Sequence, residues 1–222
     1  MRRLVILRPE PGAGRTLAKA MARGWNAVSV PLFQVRAADW QAPDPADFDG
    51  LLVTSANAVR HAGSGLDRLR TLPAYAVGEA TAGVLRDAGF EVAATGEAGV
   101  EALLATVPPG LRLLHLAGED RHEPASLSQA IKPVVVYRSV PVERPRGLEE
   151  LVDGVALVHS PRAGRRLAEL VEDRRRTVVA AISPAAAEAC GAGWERIGAC
   201  EKPTDEALLS LAERLCKDLP RP

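Results

Sequence analysis

The chain repeats itself at one fixed offset. "DGLLVTSANAV", Asp49 to Val59, returns as "DGVALVHSPRAG", Asp153 to Gly164. Ser55 and Ser160 are 105 residues apart, and so are Gly78 and Ser183, the two "EALL" segments starting at Glu101 and Glu206, and the runs "VPLFQV" from Val30 and "VVYRSV" from Val135. The Asp-Gly pairs differ by 104, a one-residue slip in a turn or strand. Chance does not hold one offset over so many segments, so the 222 residues read as a tandem duplication of a unit of about 105 residues, the size of one small domain.

Each copy spells five short aliphatic runs separated by helical segments. The runs are 4–7, 27–30, 51–54, 74–77 and 91–94 in the first copy, and 111–116, 134–137, 156–159, 178–182 and 195–198 in the second. Strand-helix alternation of this kind predicts an α/β fold with parallel sheets covered by helices on both faces. Pro161 and Pro184 each follow a serine, which places them at the first helical position behind an N-cap. "RAADWQAPDPADFD" and "SVPVERPRGLEE" break the rhythm after the second run of each copy and read as connectors.

In an open parallel sheet a ligand binds beyond the carboxyl ends of the strands, where helix N-termini offer free N–H groups. Ser55, Gly78, Ser160 and Ser183 all fall there and predict four corners suited to anionic groups, although a serine before a helix is also an ordinary cap. Sharper chemistry is missing. "PEPGAGRT" lacks the lysine and one glycine of a phosphate loop, no GxGxxG or GxSxG occurs, and His61, His115, His122 and His159 show no metal-ligand spacing. No cofactor and no metal are therefore expected. Lys plus Arg and Asp plus Glu both number 28, which argues against a nucleic-acid partner. No apolar run is long enough for a membrane span or a signal core, and three cysteines without CxxC spacing suit a reducing compartment, so a cytoplasmic protein is expected.

The ordered set "VTSANAV", "AVGEATA", "VVYRSVPV", "VHSPRAGRRL", "AISPAAAEA" and "KPTDEALLSLA", spread over nearly the whole chain, resembles the uroporphyrinogen-III synthase family. The resemblance implies two flavodoxin-like (Rossmann-like) domains joined by a two-stranded connector, with the chain crossing between them. Residues 1–35 and 142–222 would form one domain and 38–137 an inserted second, with 36–37 and 138–141 as hinge connectors. It also implies cofactor-free cyclisation of the linear tetrapyrrole hydroxymethylbilane to uroporphyrinogen III, with loss of water and inversion of ring D through a spirocyclic intermediate. Unassisted closure gives the unrearranged isomer, so orientation is the catalytic problem.

Residue by residue, the resemblance points to Tyr137 as the chemical group, since a phenol is protonated at neutral pH and can assist departure of the hydroxyl. Thr81 matches a threonine beside the substrate carboxylates. Ala185 and Ala186 stand where relatives often carry threonines, and Asn57 where some carry arginine. The same strand-end and helix-start edge adds Arg8, Thr54, Ser55, Ala56, Gly78, Gly118, Arg121, Ser160, Pro161 and Ser183 as expected substrate-binding positions. A monomer is expected, receiving its substrate from hydroxymethylbilane synthase. The alternative is a two-lobed α/β protein that binds or senses a small molecule without catalysis.

Overall fold

The aliphatic runs of both copies become strands, and seven of them lead directly into an α-helix. The computed structural model describes residues 2–121, 124 and 128–217. Its strands are β1 (Leu4–Ile6), β2 (Ala27–Ser29), β3 (Phe33–Ala37), β4 (Gly50–Val53), β5 (Ala74–Val77), β6 (Val92–Gly96), β7 (Arg112–Gly118), β8 (Ala130–Pro141), β9 (Val155–Val158), β10 (Val178–Ala181) and β11 (Arg196–Ala199). The helices are α1 (Gly12–Ala22), α2 (Ala56–His61), α3 (Glu79–Asp87), α4 (Val100–Leu104), α5 (Pro161–Leu170), α6 (Pro184–Ala189) and α7 (Asp205–Lys217).

Two sheets form, in the orders β11-β10-β9-β1-β2 and β3-β8-β7-β4-β5-β6. The copies have exchanged their leading strands. β1 and β2 of the first copy join β9, β10 and β11 of the second, while β7 and β8 of the second join β4, β5 and β6 of the first. With β3 set aside as a sixth, edge strand of the second sheet, each sheet reads 2-1-3-4-5 when its exchanged pair is counted first, the doubly wound order of a flavodoxin-like unit. The chain accordingly divides into one unit of residues 1–34 and 141–222 and another of 35–140.

Register shows the duplication directly. Leu51 faces Ala74 across β4 and β5, and 105 residues later Ala156 faces Val179 across β9 and β10. Ala74 faces Val92 just as Val179 faces Ile197, until an irregularity after Ala74 shifts β6 by one. β3 is absent from the ten runs read in the sequence. Its "FQVRA" alternates apolar and polar residues, as an edge strand does, and carries no aliphatic run. Val142 N–H donates to Leu32 C=O and Ala38 N–H to Val136 C=O, so β3 runs opposite to β8. Residues 36–37 and 138–141, expected as connectors, are thus the ends of two neighbouring strands.

Alternation along the strands feeds two cores in each unit. In the first, Val5, Ala156, Val158, Val179 and Ala181 pack with Ala163 and Leu167 of α5, while Leu4, Ile6, Val155, Leu157, Val178 and Ala180 pack with Leu208 and Leu209 of α7. In the second, Leu51, Val53, Ala74, Ala76, Leu114 and Leu116 lie under α2 and α3, and Leu52, Tyr75 and Leu113 under Leu103 and Leu104 of α4. Period-2 burial on both faces is what a covered parallel sheet demands.

Helices α5 and α6 meet at Gly164. A Cβ there would lie 2.7 Å from the Ala186 carbonyl oxygen and 3.0 Å from Cys190 Sγ. Backbone cannot yield as a side-chain tip can, so Gly164→Ala is expected to destabilise the protein by about 1–3 kcal/mol, read from urea unfolding at constant m. An unchanged midpoint would show that the helices are not so closely packed.

Candidate functional site

The carboxyl edge of the second unit's sheet collects most of the predicted residues. Thr54 follows β4, and its Oγ1 lies 3.1 Å from Nε2 of His115 on the adjacent β7. Ser55 begins α2 with its hydroxyl accepting the Asn57 N–H at 3.2 Å, so Ala56 and Asn57 form the first turn. Gly78, at φ +82, turns the chain from β5 into α3, and a Cβ there would meet nothing within 4 Å. Thr81 is buried one turn further on. Gly118 closes β7 directly beneath the ring of Tyr137, which in turn lies 6.4 Å from the His61 ring, centroid to centroid.

Electrostatics at this edge are set by burial and by two arginines. Burial, reinforced by the positive charge of Arg121, pushes the His115 pKa down to about 4, so its imidazole is neutral at pH 7. His61 is also shifted down, by burial and by Arg60. Neither histidine is a store of positive charge at neutral pH.

In the first unit the corresponding edge holds Arg8, Ser160, Pro161, Ser183, Ala185 and Ala186. Ser160 accepts from Ala163 N–H at 3.1 Å and Ser183 from Ala186 N–H at 3.3 Å. All three serine hydroxyls are therefore helix caps, and what their corners can give a ligand is backbone amide. The Ala186 amide is already committed, to the carbonyl of Ser183 as well as to its hydroxyl, and its methyl is fully buried. α2 and α6 have only six residues each, so their dipoles are short.

Arg8 leaves β1 toward Asp205 of α7, with Nη1 3.3 Å from Oδ1. Asp205 also accepts from Thr16 Oγ1 at 3.1 Å, lies 3.7 Å from Lys19 Nζ and stands 3.3 Å from His159 Nε2. Burial lowers the pKa of His159 to about 4, helped by Arg8 and opposed by Asp205. The contact is thus a hydrogen bond from a neutral imidazole, not an ion pair. For Asp205, burial alone would raise the pKa, but Thr16, His159, Arg8 and Lys19 together leave it lowered. Sequence reading missed this group because His159 and Asp205 are 46 positions apart. The available signal was the repeat itself, which aligns His159 with Thr54 at the offset of 105.

His122 and Glu123 of the "HLAGEDRHE" segment lie outside the described residues. Among the described residues no group of three His, Cys, Asp or Glu side chains could hold a metal ion, and no helix is long and apolar enough to cross a membrane.

The family model for uroporphyrinogen-III synthase HemD matches residues 15–210. The chain belongs to the uroporphyrinogen-III synthase family. Members of this family cyclise hydroxymethylbilane in tetrapyrrole biosynthesis. Among solved structures, the uroporphyrinogen-III synthetase of Helicobacter pylori 26695 shares the fold, with a TM-score of 0.63 and 21% identity over 97% of this chain and 100% of that one. A mutant uroporphyrinogen III synthase of the extremely thermophilic bacterium Thermus thermophilus aligns over 98% of this chain and 100% of that one, at 18% identity and a TM-score of 0.48. A sequence search of curated proteins returned no match.

Proposed function

We propose that the chain cyclises hydroxymethylbilane to uroporphyrinogen III, with inversion of ring D and loss of water, and that Tyr137 assists departure of the hydroxyl. The observation that carries the reaction is the family match across residues 15–210. Departure of the hydroxyl leaves an electron-poor methylene on the first ring, and a proton delivered to the leaving oxygen lowers that barrier. Tyr137 is the reading for the donor because its ring sits at the strand-end edge, over Gly118.

The remaining task is orientation, because attack at the substituted carbon of ring D, not its free end, decides the isomer. Arg121 and the open turn at Gly78 support carboxylate binding in the second unit, and Arg8 supports it in the first. Thr81 adds a hydroxyl in the first turn of α3. The reaction as proposed uses no cofactor. Because the substrate closes unassisted, prompt transfer from hydroxymethylbilane synthase to a cytoplasmic monomer suits the chemistry.

Product isomers test the reading. Incubated with fresh hydroxymethylbilane, the protein is expected to replace the type I product of unassisted closure with type III. A protein that only binds the tetrapyrrole would leave type I as the product or slow its appearance, and that result would favour the two-lobed binding alternative.

A further inference from the structure

The strand that carries Tyr137 is irregular at the residue before it. β7 and β8 pair in step from Arg112 with Ala130 to Ala117 with Val135, and then the register shifts so that Gly118 faces Tyr137. Val136 is the extra residue of a bulge. In a regular strand Val136 and Tyr137 would point to opposite faces. Here Val134, Val136 and Tyr137 all pack against the core shared with α2 and α3. The bulge has turned Tyr137 onto that face, a re-aiming for which bulges are commonly used beside active sites.

Gly118 supplies the space. A Cβ on Gly118 would lie 2.6 Å from Cζ of Tyr137 and 2.8 Å from both Cε2 and Oη. The phenol oxygen itself therefore occupies the place of a side chain at position 118. Immediately beyond, Glu119 N–H donates to the Tyr137 carbonyl at 2.9 Å, so the two backbones are tied at the same point.

We propose that Gly118 is a positioning residue for the reaction, acting with the Val136 bulge to fix where the Tyr137 phenol sits. The proposal rests on the reading of Tyr137 as the group that assists hydroxyl departure. A built-in comparison exists at Gly50, where a Cβ would lie 2.7 Å from Cε2 of Tyr75. That tyrosine is buried in the core under α4, away from the strand-end edge. Glycine under tyrosine serves packing alone there.

The test compares Gly118→Ala, Tyr137→Phe, their double variant and Gly50→Ala, with kcat and KM for hydroxymethylbilane measured per folded protein. A displacement near 1 Å at a reacting group typically costs about 10²-fold, so G118A is expected to lose about 10- to 100-fold in kcat with KM little changed. In the Tyr137→Phe background the same alanine should have no further effect. G50A should keep the kcat of the unmodified chain. The chain has two tyrosines, so labelling the single ring position Cζ gives two resonances. G118A should shift the Tyr137 signal alone and G50A the Tyr75 signal alone.

An unchanged kcat in G118A, or a loss that multiplies with that of Tyr137→Phe, overturns the positioning role. Tyr137→Phe with full activity overturns the Tyr137 reading and this proposal with it, whereas a slow Tyr137→Phe beside a fast G118A overturns the positioning role alone. The unmodified protein provides a check that needs no variant to fold. A nuclear Overhauser contact between Gly118 Hα and the Tyr137 ring is expected, and its absence overturns the geometry.

Discussion

Tyr137→Phe is expected to slow formation of uroporphyrinogen III by about 10²- to 10⁴-fold, the range typical of positioned general-acid assistance. The substitution removes one oxygen and keeps the ring. Since the ring is what packs against the α2–α3 core, the fold should survive, with a stability change within the roughly 0.5–1.5 kcal/mol usual for one hydroxyl. Initial rates and thermal unfolding should therefore be measured on the same samples. Water entering beside Gly118 can replace part of the lost donor, so a loss at the low end of the range still agrees. A variant as fast as the unmodified chain would remove Tyr137 from the mechanism.

The second large effect is on stability in mild acid. His115 and His159 both titrate near pH 4 in the folded protein, whereas a histidine in an unfolded chain takes up its proton near pH 6.5. Between those values the unfolded chain binds more protons than the folded one, so stability rises with pH. The contribution is fully present above about pH 6.5 and is lost as pH falls toward 4. The loss is on the order of 3 kcal/mol per histidine. Asp205, whose pKa is lowered, adds to it at the acid end, as protonation weakens its bonds to Thr16, Arg8 and Lys19. The melting temperature should fall steeply from pH 6.5 to 4.5. His115→Gln and His159→Gln should each flatten the slope, and a melting temperature constant over this window would contradict the burial argument.

The duplication was open to view in the sequence, because buried parallel strands need the same aliphatic runs in both copies; the matching register of β4 with β5 and of β9 with β10 came only with the structure. The exchange of strand pairs was not visible in the offset. Two copies folding separately would show the same repeat, and only the family resemblance implied the crossing. β3 escaped because one face of an edge strand is polar. At the site, the serines were identifiable as helix starts, but their hydroxyls turn inward as caps. His115 and His159 were passed over for lack of metal spacing, although burial makes them the most acid-sensitive groups of the two edges. The face on which Tyr137 lies could not be read at all, since a single unpaired residue, Val136, reverses the alternation on which such a reading depends.

Turnover measured by isomer is the most direct test of the central claim. With hydroxymethylbilane in large excess over the chain, quenched samples should contain many equivalents of uroporphyrinogen III per protein, formed before type I accumulates, without any added cofactor. Type I as the dominant product, or no more than one equivalent of type III per chain, would contradict the assignment of catalysis to this protein.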